Sequence, residues 1–279
     1  MISVDQAVLQ FRNDPAWADL IRDAYFDRDV LAAGERFLHS AEFAEVKTRL
    51  DGKWRGGVVA DLGAGAGIAS YAFARSGAAQ VYAVEPDPSD EVGRGAIARL
   101  PQNLPITIID AVGEGIPLPD ASVDVVYARQ VLHHIPDLPT AMRECARILK
   151  LGGIFFACRE HVVDDANQKQ IFLKNHPMHQ LAGNENAYSL DEYQRAIRQA
   201  NMMLTTILYP WDSLINAFPE VRTQQELDTI HVKWLHGKLG ALGSVFSHIP
   251  GMNALVRYRF SHISNPGRMF SFYAVKQKA

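Results

Sequence analysis

Three glycines at alternate positions, Gly63, Gly65 and Gly67, follow an aspartate, Asp61, in the stretch VVADLGAGAGIASYAFA from Val58 to Ala74. Glycine admits positive φ and lets a ligand touch the main chain. A turn this bare, between an apolar run and a small-residue run, reads as a nucleotide-type cradle at the carboxyl end of a parallel sheet. The third glycine comes one position early for G-x-G-x-x-G, and Ile68 stands in the sixth place. The sequence has no G-x-x-x-x-G-K-[ST] either, so a phosphate-cradling ATP loop is not expected. A negative charge two residues before the first glycine disfavours a pyrophosphate. It suits a ligand that carries an ammonium and a sulfonium, as S-adenosylmethionine (SAM) does.

Further acids and bases follow at regular intervals. Glu85, 24 residues after Asp61, closes QVYAVE, and Asp110 closes ITIID. Arg129, Gln130, His133 and His134 follow VDVVYA, while Arg159, Glu160 and His161 follow GIFFAC. Histidine titrates near neutral pH, so His133, His134 and His161 are candidate bases. Glu160 and His161 are the preferred acceptor-side pair, and the double histidine has loop shaping as its alternative role. His176 and His179 have H-x-x-H spacing, but Pro177 between them argues against a regular helix. No nearby carboxylate–cysteine set completes a metal site, and none is expected. Tyr188 is read either as facing an acceptor or as packing.

The segment VVADLGAGAG resembles motif I of the class I SAM-dependent methyltransferases. LPDASVDVVYARQVLHHIPD and ILKLGGIFFA resemble the fourth and fifth strands of the branch that contains the ubiquinone-biosynthesis methyltransferases. The likeness runs roughly from Val58 to His161. It implies a doubly wound, mostly parallel seven-stranded Rossmann-like sheet. It also implies cofactor contacts from Asp61, Gly63, Ala64, Gly65, Gly67, Glu85, Pro86, Asp110, Ala111 and Arg129. Glu85 would hold the ribose hydroxyls and Asp110 would meet the adenine amino group. The implied function is methyl transfer from SAM to a small-molecule acceptor, with oxygen the first expectation and carbon or nitrogen open. An NAD(P)-dependent oxidoreductase and a SAM-binding protein without turnover are the alternatives.

The elements that must position these residues are legible in outline. Up to residue 57 the chain reads as helical, with Ser3 and Gln6 as a capping box and Asp14-Pro15 as a helix start. From Val58 short apolar strands alternate with helices, which argues for a parallel sheet covered on both faces. Asp137 caps LPTAMRECARILK and Gly152 is expected to end it. Beyond it, DDANQKQIFLKN reads as a helix, HPMHQLAGNENAY as a loop and Ser189 with Glu192 as a second capping box. MLTTILY and RMFSFYAVK read as strands. Residues 58–279 form the expected cofactor domain, and residues 211–267 an apolar, basic helical insertion covering the acceptor pocket.

Composition bounds the rest. The chain has 279 residues, 48% of them hydrophobic, and a formal net charge of −3. That balance argues against a general nucleic-acid binder, which needs a basic surface. Two cysteines build no disulfide framework. No signal layout or membrane-length apolar run is visible, so a cytoplasmic protein without stable membrane insertion is expected.

Overall fold

The computed structural model describes residues 1–183 and 185–278; Asn184, which falls in the expected loop from His176 to Tyr188, lies outside them. Seven strands form one sheet: β1 (Val58–Leu62), β2 (Gln80–Val84), β3 (Ile106–Ile109), β4 (Val123–Arg129), β5 (Leu149–Val162), β6 (Met202–Leu208) and β7 (Arg268–Lys276). Their order is β3-β2-β1-β4-β5-β7-β6. The first five run parallel, and β7 lies antiparallel between β5 and β6. The strand order reverses between β1 and β4, so the crevice outside their carboxyl ends is where such sheets take ligands. Four residues of β1 are buried, as a strand covered on both faces requires.

The helices, in chain order, are α1 (Val4–Asn13), α2 (Ala18–Asp23), α3 (Val30–Leu38), α4 (Ala41–Arg49), α5 (Ile68–Arg75), α6 (Arg94–Ile97) and α7 (Leu138–Ile148), then α8 (Ala166–Asn175), α9 (Pro177–Ala182), α10 (Leu190–Gln199), α11 (Leu214–Ala217), α12 (Gln224–Leu239), α13 (Ala241–Phe246) and α14 (Met252–Ser261). Both expected capping boxes are present, at Ser3–Gln6 and Ser189–Glu192. Thr223 with Glu226 makes a third. On one face of the sheet an aromatic series runs from the helices into the strands. Phe37, Phe43, Phe73 and Tyr127 follow each other at ring separations of 5.2, 5.1 and 5.2 Å. On the other face Met142, Cys145, Tyr193 and Ile197 pack against Phe155, Phe270 and Phe272.

Two local expectations are corrected, and one open alternative, the role of Tyr188, is decided for packing. Helix α7 ends at Ile148, and Gly152 lies inside β5 with φ 72°. The reason is that Leu149 already pairs with Val123 before the register shifts and Ile154 pairs with Val125. Pro177 does not prevent a helix but begins one, because α9 has its proline at the first position, where no amide donor is needed. Tyr188 donates its hydroxyl to Ile135 O at 2.7 Å and meets Tyr193 edge-on, so it packs the sheet's lower face.

Candidate cofactor and acceptor site

The glycine turn leaves β1 with its backbone folded tightly against β2. Gly63 N and Ala64 N both donate to Val84 O, at 2.8 and 3.1 Å. A Cβ on Gly63 would collide with Val131, and φ there is +62°. Gly65, at φ +54°, is different: the nearest atom to an added Cβ is Val92 O at 3.7 Å. A Cβ at Gly65 would thus make only an ordinary contact, so its φ rather than crowding calls for glycine there, and Gly65 lines the cavity beside the turn. Gly67 caps α5 in the left-handed region and packs near Ile97 and Leu100.

The acids frame this turn. Asp61 is buried, and its Oδ2 accepts from Ser70 Oγ at 2.6 Å. Burial pushes its pKa up to about 7, against the opposing effect of the Ser70 bonds. Glu85 accepts from Gly65 N at 2.7 Å and from Asp87 N at 2.9 Å, and burial raises its pKa as well. Its carboxylate therefore spans the gap between the turn and the loop after β2. Asp110 is exposed at the end of β3 and accepts from Arg94 at 2.6 Å. The same guanidinium donates to Glu85 O and Pro86 O, so Arg94, which carried no signal in the sequence, ties two strand ends together. Ala111 follows Asp110, half-buried against the core under β4 and β5.

A cavity of about 380 Å³ opens beside the turn, lined by Asp61, Gly63, Ala64, Gly65 and, across from them, Arg129, Gln130, His133, His134, Arg159 and His161. Arg129 is held by a bidentate pair with Glu42 of α4, at 2.7 and 3.1 Å. Its charge is thus already matched from within the fold. Arg159 donates to Ile215 O and Phe218 O, both at 2.7 Å. Three non-glycine residues of the wall, Gln130 and Arg159 at the strand ends and Tyr25 of the N-terminal segment, have φ of 54°, 62° and 60°, an uncommon conformation that tends to mark ligand sites.

The second left-handed residue decides what the next two side chains do. Pairing of β5 with β7 shifts register between Ala157 and Glu160, and such a bulge re-aims side chains. His161 reaches the cavity. Glu160 does not: it is fully buried and accepts from Val131 N, His133 N and His133 Nδ1, at 3.1, 3.1 and 2.7 Å. The expectation of Glu160 as an acceptor-side group is corrected accordingly. It is a positioning residue that fixes the His133 loop, because all its lone pairs point into that loop.

Burial drives the pKa of His133 and His161 well below the usual histidine value. His161 Nδ1 lies 2.8 Å from Gly267 O, so that nitrogen carries the proton and Nε2 presents a lone pair. His176, at the start of α9, completes a run of rings with His161 and His133, and Glu185 stands among them. His179 is not part of this group. Glu185 was invisible in the sequence: NENAY has no spacing that links it to histidines 9 to 52 positions away.

The cover of the cavity also differs from expectation. Among its lining residues, Val4, Leu20, Asp23, Ala24, Tyr25 and Phe26 come from the N-terminal segment, and Pro219 alone from residues 211–267. The N-terminal segment is anchored there by Ile2 N on Leu181 O at 3.0 Å and by Arg12, which bonds Phe26 O and Glu91. The insertion helices α12 and α14 pack mainly on each other and on α13. Among the described residues no helix is long and apolar enough to cross a membrane.

Comparison with known proteins agrees with this arrangement. Residues 60–157 match a family model described as a methyltransferase domain. A dimethylglycine N-methyltransferase of Parasynechococcus marenigrum is 33% identical over 132 residues, 46% of this chain and 45% of that protein. A ubiquinone biosynthesis O-methyltransferase of Rhizobium etli is 30% identical over 99 residues, 35% of this chain and 39% of that protein. The matches thus span less than half the length of these curated relatives. A SAM-dependent methyltransferase structure from Mesorhizobium loti superposes with a TM-score of 0.55 at 17% identity, covering 85% of this chain and 99% of that one. At that identity the likeness is one of fold. The matched stretch holds the glycine turn, all three acids and the fourth strand that leads to the double histidine, so over residues 60–157 this chain is similar to methyltransferase domains.

Proposed function

We propose that the protein transfers the methyl group of SAM to an oxygen of a small-molecule acceptor seated against His133, His161 and His176. The observation that carries this reading is the division of the 380 Å³ cavity. One end is a glycine turn beside the buried Asp61, and the other is a set of imidazoles from His133, His161 and His176. The residues present fit SAM. Asp61 is a buried acid that gains from a cationic partner, Glu85 accepts from the amide of Gly65 at the edge of the turn, and Gly65 lines the cavity.

SAM, when bound, supplies an electrophilic methyl on a cationic sulfur, and its charge is lost as the new bond forms. The chain's own contribution is then to hold the acceptor in line and to keep water out. Leu20, Tyr25 and Phe26 close the cavity from above. A hydroxyl acceptor, unlike a thiolate or a free amine, gains from a group that takes its proton or lowers its proton affinity. Neutral imidazoles with outward lone pairs are suited to that, which favours oxygen as the acceptor atom.

Calorimetric titration with SAM, its demethylated product and NAD is the first test. Binding of the first two and not the third is expected, and the reverse result would assign the domain to a dinucleotide enzyme. Labelled-methyl transfer to a panel of hydroxylated, amino and thiol acceptors is the second. His161→Ala is expected to lower turnover by about a hundredfold while leaving SAM affinity within a few-fold.

A further inference from the structure

The carboxylate of Glu185 has only 8% of its side-chain surface exposed, and its Oε2 has no hydrogen-bond partner among the described residues. It is nonetheless ringed by imidazole nitrogens. His133 Nε2 lies 3.6 Å and His134 Nε2 3.8 Å from Oε2, and His176 Nδ1 lies 3.7 Å from Oε1. These separations are too long for hydrogen bonds. They are close to the distance of about 3.4 Å that separates two ligands on a tetrahedral ion bonded at about 2.1 Å. The potential ligand atoms of His133, His134 and Glu185 lie within 4.8 Å of one another, and so do those of His161, His176 and Glu185. Glu185 is shared by the two sets.

The groups behind the ring point the same way. A histidine that binds a metal donates its other nitrogen to a carboxylate or a carbonyl, which fixes the tautomer. His133 Nδ1 meets Glu160 at 2.7 Å, and His161 Nδ1 meets Gly267 O at 2.8 Å. Each Nε2 is thereby left as a lone-pair donor.

We propose that His161, His176 and Glu185 bind one divalent first-row transition-metal ion, with His133 and His134 on the other side of the shared Glu185. Two imidazole nitrogens and one carboxylate oxygen are a donor set for zinc, manganese or iron(II) rather than magnesium or calcium. The set lines the same cavity as Gly63 and Ala64. Resting on the proposed methyl transfer, the ion identifies the acceptor class: a molecule that offers it an oxygen lone pair, a hydroxyl above all, whose proton affinity the ion lowers.

The test uses the full chain freed of metal by a chelator and then titrated with Zn²⁺ against a chromogenic competitor, and separately with Co²⁺. One equivalent per chain is expected, with visible absorption bands for Co²⁺ that report nitrogen–oxygen ligation. Glu185→Gln and His176→Ala, at partly accessible positions, should each weaken binding by about a hundredfold, with unchanged far-UV circular dichroism. Affinity no higher than that of a chain whose exposed His248 and His262 alone remain, or unchanged affinity in both folded variants, overturns the site. SAM affinity is measured on the same metal-free protein. Its loss would sink the methyl-transfer reading and leave the metal result standing, whereas metal failure with intact SAM binding sinks only the ion.

Discussion

Asp61 is the residue whose chemistry is most exposed to test. Burial lifts its pKa from 3.8 to about 7, so the folded chain keeps a proton that the unfolded chain has lost above pH 4. The sign follows from linkage: Asp61 favours the folded state less and less as pH rises from about 4 to about 7. A bound ammonium reverses that preference by stabilising the carboxylate. SAM binding at pH 6 should then release a proton, and affinity should climb with pH and level off above 7. Calorimetry in two buffers of different ionisation enthalpy reads the proton count directly. Asp61→Asn should abolish the slope and weaken binding by at least about tenfold, roughly 1.4 kcal/mol. A second residue test is Gly65→Val. A β-branched side chain opposes a φ of +54° and intrudes on the cavity that Gly65 lines. Loss of SAM binding with the fold retained is expected, and normal binding in a folded variant would make the turn merely structural.

At the scale of elements, the bulge in β5 and the N-terminal cover carry the argument. Alternation along an unbroken strand would separate Glu160 from His161 by face alone. The left-handed Arg159 adds the tilt that sends one into the His133 loop and the other into the cavity. The cover is made by the α2–α3 connection, not by α12–α14. Replacing residues 224–260 with a flexible linker should therefore leave SAM affinity within about threefold, whereas Phe26→Ala should raise Kd and lower kcat/KM together by about tenfold, the worth of one buried ring's contact at roughly 1.4 kcal/mol. Equilibrium titration and initial rates on both variants decide it. Equal losses in both would return the cover to the insertion.

For the whole molecule, the aromatic series from Phe37 through Phe73 to Tyr127 joins the N-terminal helices to the sheet. Phe73 is fully buried, between Phe43 and Tyr127. Phe73→Ala should cost about 3–5 kcal/mol in urea unfolding, and a cost below about 1 kcal/mol would mean the two layers are only loosely joined.

Much of this was set by local pattern alone. Apolar runs of four to seven residues alternating with helical segments point to a parallel sheet, because strands buried on both faces read as continuous apolar runs. Asp61, Gly63, Gly65 and Glu85 were equally legible: each lies within a few residues of a strand end, so its place follows from the strand. The groups that needed the tertiary structure are those with no sequence neighbour to announce them. Glu185 meets His133, His161 and His176 only because the α9 segment folds back over the β4 and β5 ends. Glu42 reaches Arg129 across 87 positions, and Val4, Leu20 and Phe26 become a cavity wall only when α1 is stapled to α9 and the loop after β2. Periodicity reports which face of an element is buried. It carries no information about which distant side chains that burial brings together, and the imidazole end of this cavity is made of such pairs.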